Sequence, residues 1–533
     1  MIPPRRRLLL AAALLAALVG PAAAESVFNR GNGADPETLD PHRSTSVPAS
    51  HVEFDLFEGL VVPDGKSGFL PGAAERWDIS ADGLTYVFHL RRDGKWSDGT
   101  PVTAQDFVFS WRRVLDPALA SQYAFFLWPV LNAEEASLGK KPLDSIGVRA
   151  IDAYTFEVKL REPRPSFLES LKHHSTYAVS KTNVEKFGAA FAKPGNLVSN
   201  GAYMLAEAIP QTHVKVVRNP YFHAAKDVRI DSVYFHATDN IDAELKRYRA
   251  GELDWTYEVP LSQTRWVMEN MADQYFVMPY LGTHFYAFNL TREPWKSNRD
   301  LRLALTLAID RDILADKVFK QGEKATFALV PPLTANYQPQ APDWAGWTQA
   351  ERVAKAKELF RKAGYGPGGK ELPEIEIMHN TSEKHRKVAV AVGAMWRQAL
   401  GVKVVIATQE MKVFFATRDE KTFRDIARHG WIGDVNDANN FLELLRSDIG
   451  KQNPSAYANP EIDRLLDAAN ASMDVAKRRS LMQQAERIAL DDAAIIPLVT
   501  YATQHMISPR LKGWANDIMD YHPDRFLWLE DPR

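Results

Sequence analysis

The sequence predicts an α/β fold of two or three interleaved domains, and three observations carry that prediction. Residues 373–408 read as strand, helix and strand, the unit from which parallel sheets are built. The chain has 533 residues, more than one hydrophobic core usually supports. No low-complexity linker or internal repeat interrupts it, so its domains are expected to share the chain rather than follow one another as beads.

The elements can be justified in chain order. Arg5, Arg6 and Arg7 precede an apolar run from Leu8 to Val19, and small residues from Pro21 to Ala24 offer a cleavage site before Glu25. This reads as a signal peptide over residues 1–24. An uncleaved anchor is the alternative, but a span needs roughly 20 apolar residues. No later run matches it, so a soluble exported chain is expected.

Between 60 and 180, Leu84 to Leu90 alternates with period two and residues 103–115 are amphipathic, a smaller α+β module. Residues 299–320 read as one helix with Leu301, Leu305, Ala308 and Ile309 inward. Thr348 and Glu351 form a capping box for a helix whose stripe is Val353, Ala356, Phe360 and Ala363, closed by Gly364. In the 373–408 unit, Pro373 to His379 alternates as a strand. Ser382 caps a helix with Val388, Val392, Met395 and Ala399 on one face, Gly401 ends it, and 402–407 is the second strand. Helices near 461–470 and 474–491 precede a strand from Ile495 to Thr500.

Composition removes several function classes. Cysteine is absent, which excludes disulfides and a lipid-modified N-terminal Cys; retention of an exported chain then favours a Gram-negative periplasm. Loss of residues 1–24 removes three Arg and no acid, moving the net charge from −2 to −5. That mild charge argues against a nucleic-acid partner. There is no G-x-S-x-G, H-E-x-x-H, Walker-type loop or G-x-G-x-x-G after a strand. His173-His174 and the His379/His385 spacing are the only loosely metal-like features, and they read as surface or hydrogen-bonding residues. No metal and no cofactor are expected. The 13 Trp, 17 Tyr and 26 Phe suffice to line a large pocket as well as fill cores.

Ala74 to Arg91, Lys95 to Trp111, Asn200 to Tyr203, Arg249 to Asp254, Leu301 to Arg311 and Arg428 to Asp434 together resemble the signature blocks of the family 5 extracellular solute-binding proteins. They occur in family order from Thr38 to the C-terminus, and the likeness is strongest to oligopeptide-binding members. The resemblance implies a type II periplasmic-binding-protein flytrap with two α/β lobes and an extra α+β domain. By motif position, lobe one takes 25–58, 183–284 and 502–533, the extra domain 59–182, and lobe two 285–501. It also implies transport without chemistry: short peptides as ligands, an inner-membrane ABC permease with its ATPase subunits as partners, and a monomer.

A binder of peptides of any sequence must recognise backbone amides and the two charged termini. The resemblance assigns backbone pairing to Thr45-Ser46-Val47 and, from the opposite lobe, to Gly430-Trp431-Ile432. Asp434 would take the ligand's α-ammonium, because a carboxylate enclosed by closing lobes is costly unless paired. Tyr123 would lie near the first ligand residues and Trp431 would wall a pocket. Arg418, Arg428 and His385 would meet the peptide carboxylate, which a guanidinium pairs bidentately; each Arg is alternatively a structural ion-pair residue.

Two departures from the family pattern fall at the ligand's C-terminal end. Phe319 stands where a carboxylate-pairing Lys is usual, with Lys320 one place beyond, and one extra residue separates Arg418 from Arg428. Peptide length therefore stays open, as do a dipeptide, murein tripeptide, an opine-like compound or a sugar as ligand. A periplasmic peptidase or amidase and a binder of unfolded chains are the alternatives outside the family.

Overall fold

The computed structural model describes residues 25–530; the expected signal peptide, residues 1–24, lies outside the described residues. Three hydrophobic cores organise the chain. The first gathers Phe28, Val52, Tyr203, Val233, Ile507 and Leu529, and so joins both ends of the described sequence. Its sheet sets strand Val27–Gly31 parallel to Ser232–His236, followed by His213–Arg218 and Tyr203–Ile209 in antiparallel order. Arg30 Nη1 donates to Asp524 Oδ1 at 2.8 Å and to the His522 carbonyl at 3.0 Å. Both side chains are buried, a depth at which a charge is tolerated only when paired.

The second core is built on an antiparallel sheet in the order Ala74–Ile79, Thr85–Leu90, Thr155–Lys159, Val148–Asp152. Tyr86, Phe88 and Leu90 point inward, as their alternation requires. Helix Ala104–Val114 adds Phe107, Trp111 and Val114 to this core. Its start is fixed by Asp106, which accepts from the N–H and hydroxyl of Thr103, both at 2.9 Å.

The third core surrounds a six-stranded sheet in the order Lys324–Ala325, Ile495–Met506, Tyr275–Phe288, Ile426–Ile432, Ile375–Asn380, Val404–Gln409. Ile375–Asn380 and Val404–Gln409 are parallel and joined by helix Glu383–Leu400. Ser382 caps that helix and Gly401 ends it at φ +73°. The strands lie about two residues further on than expected. The buried face also differs: Val388, Ala389, Val392 and Trp396 are buried, while Met395 and Ala399 are only partly so. Trp396 takes the core position because its indole N–H donates to the Leu305 carbonyl at 2.8 Å.

The single helix expected over 299–320 is two. Arg299–Leu307 stops, Asp310 caps a new start by accepting from Ile313 N–H at 3.1 Å, and the wider turns of Leu314–Phe319 end at Lys320 with φ +65°. The buried Arg311 guanidinium donates to the Thr306 and Ile309 carbonyls, each at 3.2 Å. It thereby satisfies groups that the break leaves without helical partners. Helix Gln349–Lys362 opens on the expected Thr348/Glu351 capping box, with Ala356 and Phe360 buried.

Two strands run from one core to another. Tyr275–Phe288 and Ile495–Met506 pair antiparallel; Met278 lies in the first core, Phe285 and Ile496 in the third. The strand expected to end at Thr500 continues to Met506 for this reason. Their ladder loses register between Pro279 and Thr283, which provides a place to bend.

Candidate functional site

Where the first and third cores face each other lies a cavity of about 130 Å³. Thr45, Ser46, Val47 and His51 line one side, Ile432 and Asp434 the other, and Tyr123 joins them from the start of the short turn Ala124–Leu127. Six residues singled out in the sequence as ligand contacts, Thr45, Ser46, Val47, Tyr123, Ile432 and Asp434, thus meet in one place.

Ser46 is the N-cap of helix Val47–Leu56, its hydroxyl accepting from Ala49 N–H at 3.3 Å. The Glu37 carboxylate accepts from Thr45 N–H at 2.5 Å and from Ser46 N–H at 3.0 Å. The Ser46 carbonyl is taken by Ser50 N–H. The backbone edge expected from Thr45 to Val47 is therefore largely occupied, and what this segment presents is the exposed Val47 side chain.

The opposite segment is open. Strand Ile426–Ile432 pairs along its whole length with Gly282 to Phe288, but its other edge reaches Ile377 and Met378 only through Ile426 and Ala427. Among the described residues, Arg428 to Ile432 has no strand on that edge. Gly430 N–H turns to His429 Nδ1 at 3.1 Å. An edge of this kind accepts an added extended strand.

Asp434 is fixed by its backbone, whose N–H donates to Asn440 Oδ1 at 3.0 Å; the same oxygen accepts from the Trp431 indole N–H at 3.0 Å. Its carboxylate has neither an ion-pair nor a hydrogen-bond partner among the described residues, and burial pushes its pKa up to about 6. Burial also raises the Tyr123 phenol, with the Asp434 charge adding to it. Trp431 does not line the small cavity. It walls an adjoining one of about 790 Å³ that also reaches Asp434.

The three basic candidates differ. Arg428 is hydrogen-bonded to the Tyr501 hydroxyl, its Nε is buried without a partner, and no carboxylate meets it among the described residues. His385 stacks on His284 with centroids 5.4 Å apart. Burial and then the Arg428 charge lower its pKa to about 3, so it is a neutral ring. Arg418 is already paired with Asp419 at 2.8 Å and lies over the Phe415 ring. Phe319 is buried against His284, with Lys384 over its ring and held by Glu323 at 2.6 Å. Lys320 is exposed.

Sequence reasoning missed Glu37, His51, Asn440, Tyr501 and Asp520, because nothing in their spacing links them to the site. It also placed His173 and His174 at the surface or in hydrogen bonds. They are buried in the cavity wall, rings 4.1 Å apart, and His173 Nδ1 accepts from Ser175 N–H at 3.2 Å. Burial holds His173 well below the ordinary imidazole value and His174 at about 3. Among the described residues, no group of three or more His, Cys, Asp or Glu is placed to hold a metal ion, and no helix is long and apolar enough to cross a membrane.

The profile of the bacterial extracellular solute-binding proteins, family 5 Middle, matches residues 68–453. The chain is similar to the periplasmic oligopeptide-binding protein OppA of Escherichia coli K12, 39% identical over 95% of this chain and 93% of that one. It is also similar to the periplasmic murein peptide-binding protein MppA of the same organism, 38% identical over 93% and 91%. Among solved structures, the unliganded open form of the murein tripeptide binding protein MppA superposes with a TM-score of 0.86. It is 36% identical, with 95% of this chain and 98% of that one covered.

Proposed function

Because the chain belongs to the family 5 bacterial extracellular solute-binding proteins, we propose that it captures short peptides in the periplasm for an ABC importer and performs no reaction on them. The observation that carries the peptide reading is the Asp434 carboxylate, unpaired among the described residues and set between two cores beside an open strand edge. Such a group is costly to enclose until a cation meets it. A peptide's α-ammonium supplies that cation, the edge of 428–432 supplies backbone pairing, and Arg428 supplies a partner for the carboxylate terminus. Neutral sugars offer none of these.

The lobes of this mechanism are 25–58 with 183–284 and 502–533, and 285–501, with 59–182 as the extra domain. They close by bending the two crossing strands near Pro279 to Thr283. Export rests on residues 1–24, and the delivered peptide passes to a permease with ATPase subunits from a monomeric binder. Native mass spectrometry of the purified protein tests the reading. A ladder of short-peptide masses is expected, a single mass would indicate a dedicated ligand such as murein tripeptide, and cleavage of added peptides would overturn the binder in favour of a peptidase.

A further inference from the structure

Beside the peptide site, the second and third cores are joined by an ion pair. Arg164 stands three residues before Phe167 of the second core, and Glu443 lies between Leu442 and Leu444 of the third. Arg164 Nη2 donates to Glu443 Oε1 at 3.0 Å. Both residues line two neighbouring cavities, of about 100 and 790 Å³, and the larger one reaches Trp431 and Asp434. Among the described residues, each is the other's sole ion-pair partner.

The pair continues into the site. The same Glu443 oxygen accepts from Asn439 Nδ2 at 2.5 Å. Asn439 is the first residue of helix Asn439–Leu442, and Asn440 follows it. Asn440 Oδ1 is the atom that receives both the Asp434 N–H and the Trp431 indole N–H, each at 3.0 Å.

A helix of four residues does not hold its own orientation, and Ala438 before it offers no side-chain cap. Two tethers hold it instead. One comes from helix Val475–Asp491: Arg478 grips Asp437 through bonds of 2.7 and 2.8 Å, and Asp437 accepts from Asn439 N–H at 2.9 Å. The other comes from the second core, through Arg164 and Glu443.

We infer that Arg164 is a positioning residue for peptide capture. It acts without touching the ligand: through Glu443 and the short helix it sets the Asn440 oxygen, and so fixes Asp434 and the Trp431 ring. This rests on the reading of Asp434 as the anchor for the ligand's α-ammonium. Hydrogen bonds weaken steeply once distance and angle leave their narrow range. A helix held at one tether therefore presents the anchor less well.

Calorimetry on the mature protein with trialanine and tetra-alanine tests this. Arg164→Gln is expected to weaken binding about five- to ten-fold. Its thermal unfolding should hardly move, because the paired side chains are 25% and 26% exposed and such pairs add little stability. Glu443→Gln keeps an acceptor for Asn439 while removing the ion pair, and should match that loss. Arg164→Lys should stay within about three-fold of wild type, since an ammonium can make the single bond. In an Asn440→Ala background, Arg164→Gln should cost less than about two-fold more, because both act through one oxygen. Wild-type affinity in Arg164→Gln, or losses in Arg164→Gln and Asn440→Ala that simply add, would overturn the assignment. Full affinity in Asp434→Ala would remove the anchor and this assignment together. A loss in Asp434→Ala beside full affinity in Arg164→Gln would remove this assignment alone.

Discussion

A Cβ on Gly430 would overlap the hydroxyl oxygen of Tyr501, so the missing side chain at one residue is what lets the other reach Arg428. Gly430→Ala should displace that hydroxyl, cost about 1–3 kcal/mol of stability and weaken peptide binding roughly ten-fold through Arg428. Thermal unfolding and calorimetry measure the two effects. Unchanged binding in Gly430→Ala would show that Tyr501 does not position Arg428.

Asp434 is a carboxylate whose folded-state pKa, about 6, exceeds its unfolded value near 4. A raised value means the ligand-free fold is favoured by protonation. That benefit is full below pH 4 and gone above pH 6. Asp434→Asn should therefore stabilise the ligand-free protein by up to about 2 kcal/mol at pH 7.5 and leave it nearly unchanged at pH 3.5. Denaturant titration at both pH values checks this, and a loss of stability at pH 7.5 would mean the carboxylate has a partner.

The same substitution should weaken peptide binding by roughly two to three orders of magnitude, and N-acetylating the peptide should do as much to the wild type. Wild-type affinity should hold level between about pH 6 and pH 8. It should fall roughly ten-fold per unit below, as Asp434 takes a proton, and fall again above as the ligand amine loses one. Calorimetry across pH 4.5–9 supplies the curve. A profile flat down to pH 4.5 would count against Asp434 as the anchor.

Arg428 and Arg418 should separate cleanly. Arg428→Gln is expected to cost binding of free-acid peptides about ten-fold or more while leaving C-terminal amides unchanged. Arg418→Gln, whose guanidinium already holds Asp419, should change either by less than about three-fold. Equal losses in the two variants would mean that charge in general, rather than Arg428, holds the terminus.

The parallel unit at 373–408 and the capping box at Thr348 were legible because their signals are local: alternation, a cap, a glycine at positive φ. The break at residues 308–310 was not, since apolar spacing runs on through it while Asp310 and Arg311 redirect the backbone. Asp434 could be nominated from its motif, yet its isolation from cations depends on segments hundreds of residues away. For Arg418 the local reading left two roles, although the pairing carboxylate is its own neighbour, Asp419. The crowding of Gly430 by Tyr501 could not be read from either neighbourhood.

The Arg30–Asp524 pair joins positions 494 residues apart. The first core therefore closes only when segments from both ends of the described sequence have met. The sheet of that core lies wholly between Val27 and His236, so its ladder can close without the C-terminal segment while its packing cannot. Removing the C-terminal segment would strip buried side chains from that core and leave Arg30 without its counter-charge, a cost far larger than its few residues suggest.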